Sequence, residues 1–474
     1  MAYIYGNRYQ PTMLPESIDD YVPQDHPVRA YDAFGEKLDL KELGINEQEV
    51  KVGNPAYNPR AMIKLIVYGC SYGIRSSRKL ERACYDNMSF IWLMEGLKPD
   101  HKTISEARKN NKEALKNILK QSAQLCIKLD LIEGNTLFVD GSKIRGNASI
   151  NNTFSKERAE TLLKNIDKRI EQILDECDSI DEKEQNNPSL VKLKAEFKDS
   201  QKLKTKVEQI MKDLNETKKD KINSTDPECV NIKGRQGTHA GYNGQIVVDE
   251  KHGIIVNSDV VNENHDKNQF TGQIEQANRT LGKQCESGCA DAGYANTDNL
   301  KESDDKGIRV IVPTQKQATG ESPGQFDKER FIYDSQKDCY ICPEGHEIPY
   351  NHFSATRNFK SYRFCEPVIC RNCKHFGICT KSKRGRTIVR LANEDTKNKL
   401  EKQYEQSKDI FRLRKQKVEL PFGHFKHNLG VSSFLLRGIE GVRAEMSILS
   451  SCFNIARMIT IFGVSGFIEK VTMA

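Results

Sequence analysis

The stretch Leu137-Phe-Val-Asp-Gly-Ser-Lys-Ile-Arg145 constrains this chain more than any other. Three β-favouring apolar residues run into an aspartate and then a glycine, which predicts a buried strand that ends by offering a carboxylate. A second such place is Ser287-Gly-Cys-Ala-Asp-Ala-Gly-Tyr294, and a glutamate stands in a basic helical stretch at Arg412-Leu-Arg-Lys-Gln-Lys-Val-Glu419. Magnesium takes hard oxygen ligands, so Asp140, Asp291 and Glu419 are expected to meet as one metal-binding site. Two such ions about 3.5–4 Å apart can activate an attacking oxygen and stabilise a leaving one during phosphodiester cleavage. In that arrangement Asp140 bridges the ions, and Asp291 and Glu419 each complete one.

The surrounding pattern predicts a sheet to carry these residues. Tyr242-Asn-Gly-Gln-Ile-Val-Val-Asp249 and Ile254-Ile-Val-Asn-Ser-Asp-Val-Val261 read as a hairpin about Glu250-Lys-His-Gly253. With the Asp140 strand they make three antiparallel candidates. An amphipathic helix near 268–281, the Asp291 strand, a helix from about Thr297 and a fifth strand at Gly307-Ile-Arg-Val-Ile-Val-Pro313 follow. That order predicts an α/β (mixed α+β) class with an RNase H-like mixed five-stranded sheet.

Elsewhere the chain reads as helix. Residues 1–130 hold short helices opened by Pro59, by Ser76 as a cap, and by a Thr103/Glu106 capping box, as in a small helical DNA-binding domain or, equally, a helical docking domain with no nucleic-acid role. Residues 131–154 begin the catalytic domain, which resumes over 221–330 and ends, with C-terminal helices, over 393–474. Between them, 155–220 is rich in Lys and Glu, with Leu163, Ile166, Ile170, Ile173, Val207, Ile210 and Leu214 at coiled-coil spacing. Asn186-Asn-Pro-Ser189 interrupts it, so an antiparallel helical hairpin is expected.

Fourteen cysteines spread over 474 residues argue against a disulfide framework, a device of short chains. Cys70, Cys84, Cys126 and Cys452 lie in apolar helical surroundings and read as buried small side chains. Cys339, Cys342, Cys370, Cys373 and Cys379 instead form two C-x-x-C pairs and a fifth thiol within 331–392, the spacing of a structural Zn²⁺ knuckle in which five cysteines compete for four places. The neighbouring run Lys381, Lys383, Arg384, Arg386 and Arg390 suits phosphate contacts. A formal charge of +7 agrees with an anionic partner. No apolar run approaches the ~20 residues of a membrane span, and Met1-Ala-Tyr-Ile-Tyr-Gly-Asn-Arg8 has no signal-peptide pattern. A cytoplasmic protein is expected.

Read together, these motifs resemble a bacterial insertion-sequence transposase with a DDE domain. The resemblance is carried by Asp140-Gly-Ser-Lys-Ile-Arg-Gly-Asn-Ala148, Asp226-Pro227 leading to Gly241-Tyr-Asn-Gly-Gln245, Ala290-Asp-Ala-Gly-Tyr294 and Val418-Glu-Leu-Pro-Phe-Gly-His-Phe-Lys426. Pro99-Asp-His-Lys-Thr-Ile104, Leu436-Arg-Gly-Ile439 and Asn454-Ile-Ala-Arg457 extend it over almost the whole chain. It implies Asp140, Asp291 and Glu419 as the acidic triad, with two Mg²⁺ (or Mn²⁺) ions per site. Within the family's Tyr-Arg-Glu-Lys signature it matches Arg414 and Lys426, with Phe411 where relatives have tyrosine. Arg414, Lys426, Lys143, Arg384 and Arg386 are then candidates to contact DNA, while Arg412, Lys415 and Lys417 read as solvated surface. It also implies Cys342, Cys370, Cys373 and Cys379 as the zinc ligands, with Cys339 as the alternative. The expected partner is double-stranded DNA, at the element ends and the target, held by a homodimer or higher multimer. Competing expectations are a catalytically inactive, transposase-derived DNA-binding protein and an RNase H-like nuclease acting on RNA or a hybrid.

Overall fold

The structure is a computed structural model describing residues 17–45, 56–181, 188–217, 219–234, 237–322, 324–356 and 358–473. The N-terminal stretch from Met1 to Arg8 and the Asn186-Asn187 pair lie outside them.

Strand β1 (Thr136–Arg145) begins at the expected place and is buried over its first four residues. A short ladder of β2 (Thr153–Ser155) and β3 (Lys221–Asn223) closes the base of the helical insertion. β4 (Val230–Gly234), β5 (Gly237–Asp249) and β6 (Ile255–Val261) follow, then β7 (Ser287–Cys289) and β8 (Arg309–Ile311). β1 lies at the centre, antiparallel to β5 with Asp140 opposite Ile246, and parallel to β7 with Phe138 opposite Cys289. β6 and β4 both pair with β5, and β8 continues the parallel side beyond β7.

The expected sequence of three antiparallel strands followed by two alternating with helices is therefore present, with helices Phe270–Leu281 and Thr297–Asp305 as the crossovers. The sheet has six strands, not five. β4 pairs with the first part of β5, a stretch of Gly, Thr and His without the apolar alternation that marks a strand.

The N-terminal helices start where their caps predict, with two corrections. Ser76 stands at the N-cap of helix Ser77–Asp86 but makes no side-chain cap bond. In helix His101–Asn110 the cap is Asp100, whose carboxylate accepts from the Thr103 backbone N–H at 2.7 Å. Thr103 thus lies inside the first turn, because an aspartate upstream satisfies the same orphan donor and also favours the helix dipole.

Helix Ile439–Met473 carries the core. It is long and apolar enough to cross a membrane, yet its first half is buried inside the protein, among them Val442, Leu449, Phe453 and Met458. It packs on helices Pro27–Lys37, Pro59–Ser71 and Lys112–Lys128 and on β6, so one apolar core runs from the N-terminal helices into the central sheet. Gly463 takes a left-handed φ of 71° and kinks it, a conformation that glycine adopts without steric cost. Cys70, Cys84, Cys126 and Cys452 are buried within this core, as their apolar surroundings predict.

The insertion forms the expected antiparallel pair, Lys156–Asp181 and Pro188–Thr217. Ala159, Ile166 and Val207 make its seam, and Arg169–Glu196 and Lys204–Asp167 ion pairs flank it. A second antiparallel sheet, β9 (Ile332–Asp334), β10 (Cys339–Ile341), β11 (Glu347–Ser354), β12 (Phe359–Arg363) and β13 (Thr387–Leu391), has its own small core of Phe331, Tyr340, Ile348, Tyr362, Phe364 and Ile388.

Candidate active site

β1 does not end at Asp140 as expected but runs on to Arg145, paired with β5 throughout; Asp140 lies inside it, two residues past the last one paired with β7, so the parting of β1 from β7 opens a notch beside the carboxylate. Asp291 stands two residues beyond β7 and caps a 3₁₀ turn, Ala292–Tyr294, its Oδ1 accepting from the Gly293 N–H at 2.8 Å. One guanidinium joins the two: Nη2 of Arg414 donates to Asp140 Oδ1 at 2.9 Å and to Asp291 Oδ2 at 3.2 Å. Burial pushes the Asp140 carboxyl up to about 6; Arg414 pulls it down, while Asp291 and Asp266 push it further up. Desolvation outweighs the cation because a largely buried carboxylate loses more hydration than one shared charge restores.

Helix Lys408–Gly423 brings Arg414 to the notch and continues through Pro421 into a π-helical turn, His424–Asn428. Proline at that position does not end it. Lys426 comes from the π-turn, and its Nζ donates to Ser142 Oγ at 3.2 Å, two residues along β1 from Asp140 and hence on the same face. Glu419 lies on an exposed part of this helix and makes no hydrogen bond or ion pair among the described residues. Val418 is buried and Arg414 points into the notch; five residues from Arg414, Glu419 is turned well away from it. The ring of Phe411 packs edge-on against Tyr404 at 5.1 Å.

A carboxylate that the sequence did not single out also lies here. Asp266, in the loop between β6 and helix Phe270–Leu281, accepts from Asn243 Nδ2 at 2.7 Å, Gln245 Nε2 at 2.8 Å and Lys143 Nζ at 3.4 Å. Lys143, expected against DNA, is thus ion-paired and half-buried. A strand pattern with Asn243 and Gln245 at fully buried positions is the signal that could have pointed to it, since buried amides need partners.

Among the described residues no group of three or more His, Cys, Asp or Glu side chains is drawn together closely enough to hold a metal ion. Asp140 and Asp291 nevertheless already share one cation, and their oxygens are the donor type that magnesium takes.

In the small sheet, Cys342, Cys370, Cys373 and Cys379 line one apolar cavity with His346 and His375. Burial raises the thiols of Cys370 and Cys379, and the neighbouring cysteines of the set raise them further. The Arg386 backbone N–H donates to Cys370 Sγ at 3.4 Å. Cys339 sits in β10 opposite Asp334 and Pro349, outside that cavity, and Cys365 is exposed. Of the basic run, Lys381, Lys383 and Arg384 are exposed. Arg386 is held by the Cys379 and Phe326 carbonyls, and Arg390 is buried over the Tyr333 ring.

Two family descriptions match the chain: a transposase domain (DUF772) over residues 16–110 and a transposase DDE domain over residues 341–459. Both descriptions are of transposases, and the second is of the DDE kind. The second span holds Arg414, Glu419, Lys426 and the four cysteines that line the small-sheet cavity, while Asp140 and Asp291 fall outside both. No curated protein matches the chain. Among solved structures, a cryo-EM structure of a piggyBac transposase synaptic complex with hairpin DNA matches at 9% identity, covering 94% of this chain and 79% of that one, with a TM-score of 0.31. A likeness of that size carries no argument.

Several motif residues brace the site from outside it. Asn454, fully buried in the last helix, exchanges hydrogen bonds with both the N–H and the carbonyl of Ile255 in β6. Asp226 Oδ1 accepts from Tyr242 Oη at 2.8 Å and from the Gly438 N–H at 3.3 Å, and Glu228 accepts from the Ile439 N–H. These contacts fix the start of the core helix to β5.

Proposed function

We propose that this chain is a DDE transposase that binds the terminal inverted repeats of its element, hydrolyses DNA at the ends to free 3′-hydroxyls, and joins them to a target. The observation that carries the reading is the Asp140–Arg414–Asp291 bridge, two carboxylates from parting strands that share one cation under a basic helix. The strand order supports an RNase H-like sheet as its scaffold.

Asp140 and Asp291 would hold Mg²⁺ or Mn²⁺, two ions per site; Glu419, the third acid of the proposed triad, sits on the helix that brings Arg414 to the notch but faces away from it here and would have to turn inward when the ions and DNA bind. Bound there, the ions supply an activated attacking oxygen and a stabilised leaving oxygen. Arg414 keeps the paired carboxylates from repelling one another and offers a bidentate donor to a flanking phosphate. Lys426 adds positive charge beside Ser142, on the face of β1 that carries Asp140, and the exposed Lys381, Lys383 and Arg384 beside the small sheet are further candidates for phosphate contacts. Cys342, Cys370, Cys373 and Cys379 would hold one structural Zn²⁺, a reading supported by their shared cavity and by the N–H donated to Cys370 Sγ. A homodimer or higher multimer, working in the cytoplasm on nucleoid DNA, would hold the two ends together.

The test is cleavage of duplex oligonucleotides taken from the DNA flanking the reading frame, with Mg²⁺, by wild-type protein and by Asp140→Asn, Asp291→Asn and Glu419→Gln. Nicking by the wild type alone supports the reading. A gel shift without nicking would favour a binding protein, preferential cleavage of hybrid or RNA a nuclease of another kind, and normal cutting by Asp140→Asn would sink the mechanism.

A further inference from the structure

The side of β1 that faces away from Asp140 carries an unusual buried polar chain. Gly141 pairs with Gln245 and Lys143 with Asn243 in the β1–β5 register. Asn243 and Gln245 are both fully buried, and each donates its amide to the same oxygen of Asp266. Gln245 turns its own carbonyl to Tyr294, whose hydroxyl donates to Oε1 at 2.5 Å. Tyr294 closes the 3₁₀ turn that Asp291 caps, its backbone N–H donating to the Asp291 carbonyl. The path Asp266–Gln245–Tyr294 therefore links the β6 loop, the middle of the sheet and the turn presenting Asp291.

This path crosses directly behind Asp140. A Cβ on Gly141 would collide with Gln245 Nε2 and lie 2.8 Å from Asp266 Oδ1 and 3.1 Å from the Tyr294 hydroxyl. Gly141 is thus the residue over which the polar chain passes, and its neighbour is the carboxylate on the opposite face. Asp266 is the only charged member of the chain formed by Asp266, Asn243, Gln245 and Tyr294. Without it two buried amides lose their acceptor and Lys143 loses its counter-charge, and such losses are costly away from water.

We propose that Asp266 is a positioning residue for the acidic site: through Gln245 and Tyr294 it fixes the turn that presents Asp291 against Asp140. The role rests on the DDE reading above and gives Asp266 no contact with DNA or with the reacting atoms. Groups that orient metal ligands from behind typically change metal affinity by about 10–100-fold when removed.

The experiment is Mn²⁺ binding to the full chain without DNA, followed by the paramagnetic signal of free Mn²⁺, for wild type, Asp266→Ala, Asp266→Asn, Tyr294→Phe and Asp140→Asn. Near-ultraviolet circular dichroism reports the fold of each. Asp266→Ala is expected to weaken binding about tenfold or more with the fold retained. Asp266→Asn keeps an acceptor for Asn243 and Gln245 and should recover most of that loss. Tyr294→Phe, which removes only the tether, should show an intermediate loss and serves if Asp266→Ala does not fold. Unchanged affinity in Asp266→Ala or, if that variant is unfolded, in Tyr294→Phe overturns the positioning role. Asp140→Asn binding Mn²⁺ as wild type does would instead overturn the acidic-site reading, which separates the two failures.

Discussion

Arg414 donates to Asp140 at 2.9 Å while the same nitrogen reaches Asp291 at 3.2 Å, so one basic side chain governs the charge balance of the candidate site. Arg414→Ala is expected to slow single-turnover cleavage of end DNA about a hundredfold, the size of effect seen when a preorganised donor is removed. Arg414→Lys should recover part of it, since ammonium restores the charge but not the planar fork. Wild-type cleavage by the alanine variant would remove Arg414 from the site.

Asp140 carries a folded-state value near 6, raised by burial above the ~3.9 of an unfolded aspartate. For a group shifted upward, the stabilising contribution is complete below pH ~4 and is lost as pH rises through about 6. Metal-free Asp140→Asn should therefore match wild type near pH 4 and exceed it by roughly 1–3 kcal/mol at pH 8. Urea melts in chelator at the two pH values check this; equal stability at both would contradict it.

Gly141 and Gly272 give opposite expectations for the same substitution. Gly141→Ala drives a methyl group into Gln245, Asp266 and Tyr294, and overpacking of that kind costs about 1–3 kcal/mol. Gly272 lies in helix Phe270–Leu281 with nothing within 4 Å of an added Cβ, so Gly272→Ala should be neutral or stabilise by about 0.5–1 kcal/mol. Thermal unfolding of the two variants side by side measures the contrast.

Zinc content tests the small sheet. Protein purified under reducing conditions should contain about one Zn²⁺ per chain by elemental analysis. Cys342→Ser and Cys373→Ser should lower that content, whereas Cys339→Ser, altering a thiol outside the shared cavity, should leave it unchanged. Absence of zinc from the wild type would refute the knuckle.

Much of the scaffold was legible in the residues because its causes are local. Apolar residues before Asp140 specify a buried strand, Glu250-Lys-His-Gly253 turns the chain between β5 and β6, and the three-and-four spacing of Ile166 and Ile170 makes a helical seam. Asp140, at the end of the apolar run inside β1, and Asp291, two residues beyond β7, stand out as candidates for the same local reason. Thr103 is an exception, because Asp100 upstream competes for the same donor, and Ser76 stands at its N-cap without a side-chain bond.

What the sequence alone determined is the kind of chain this is, its strand order through the catalytic stretch, and the carboxylates and cysteines that its chemistry would need. Tertiary structure decided how those residues are joined. Arg414 turns toward two aspartates, Asp266 gathers Lys143, Asn243 and Gln245 from neighbouring strands, and an apolar last helix becomes the shared core. These contacts link positions far apart in the chain, where periodicity and capping carry no information. They exist because buried charges and amides must find partners wherever the fold brings them.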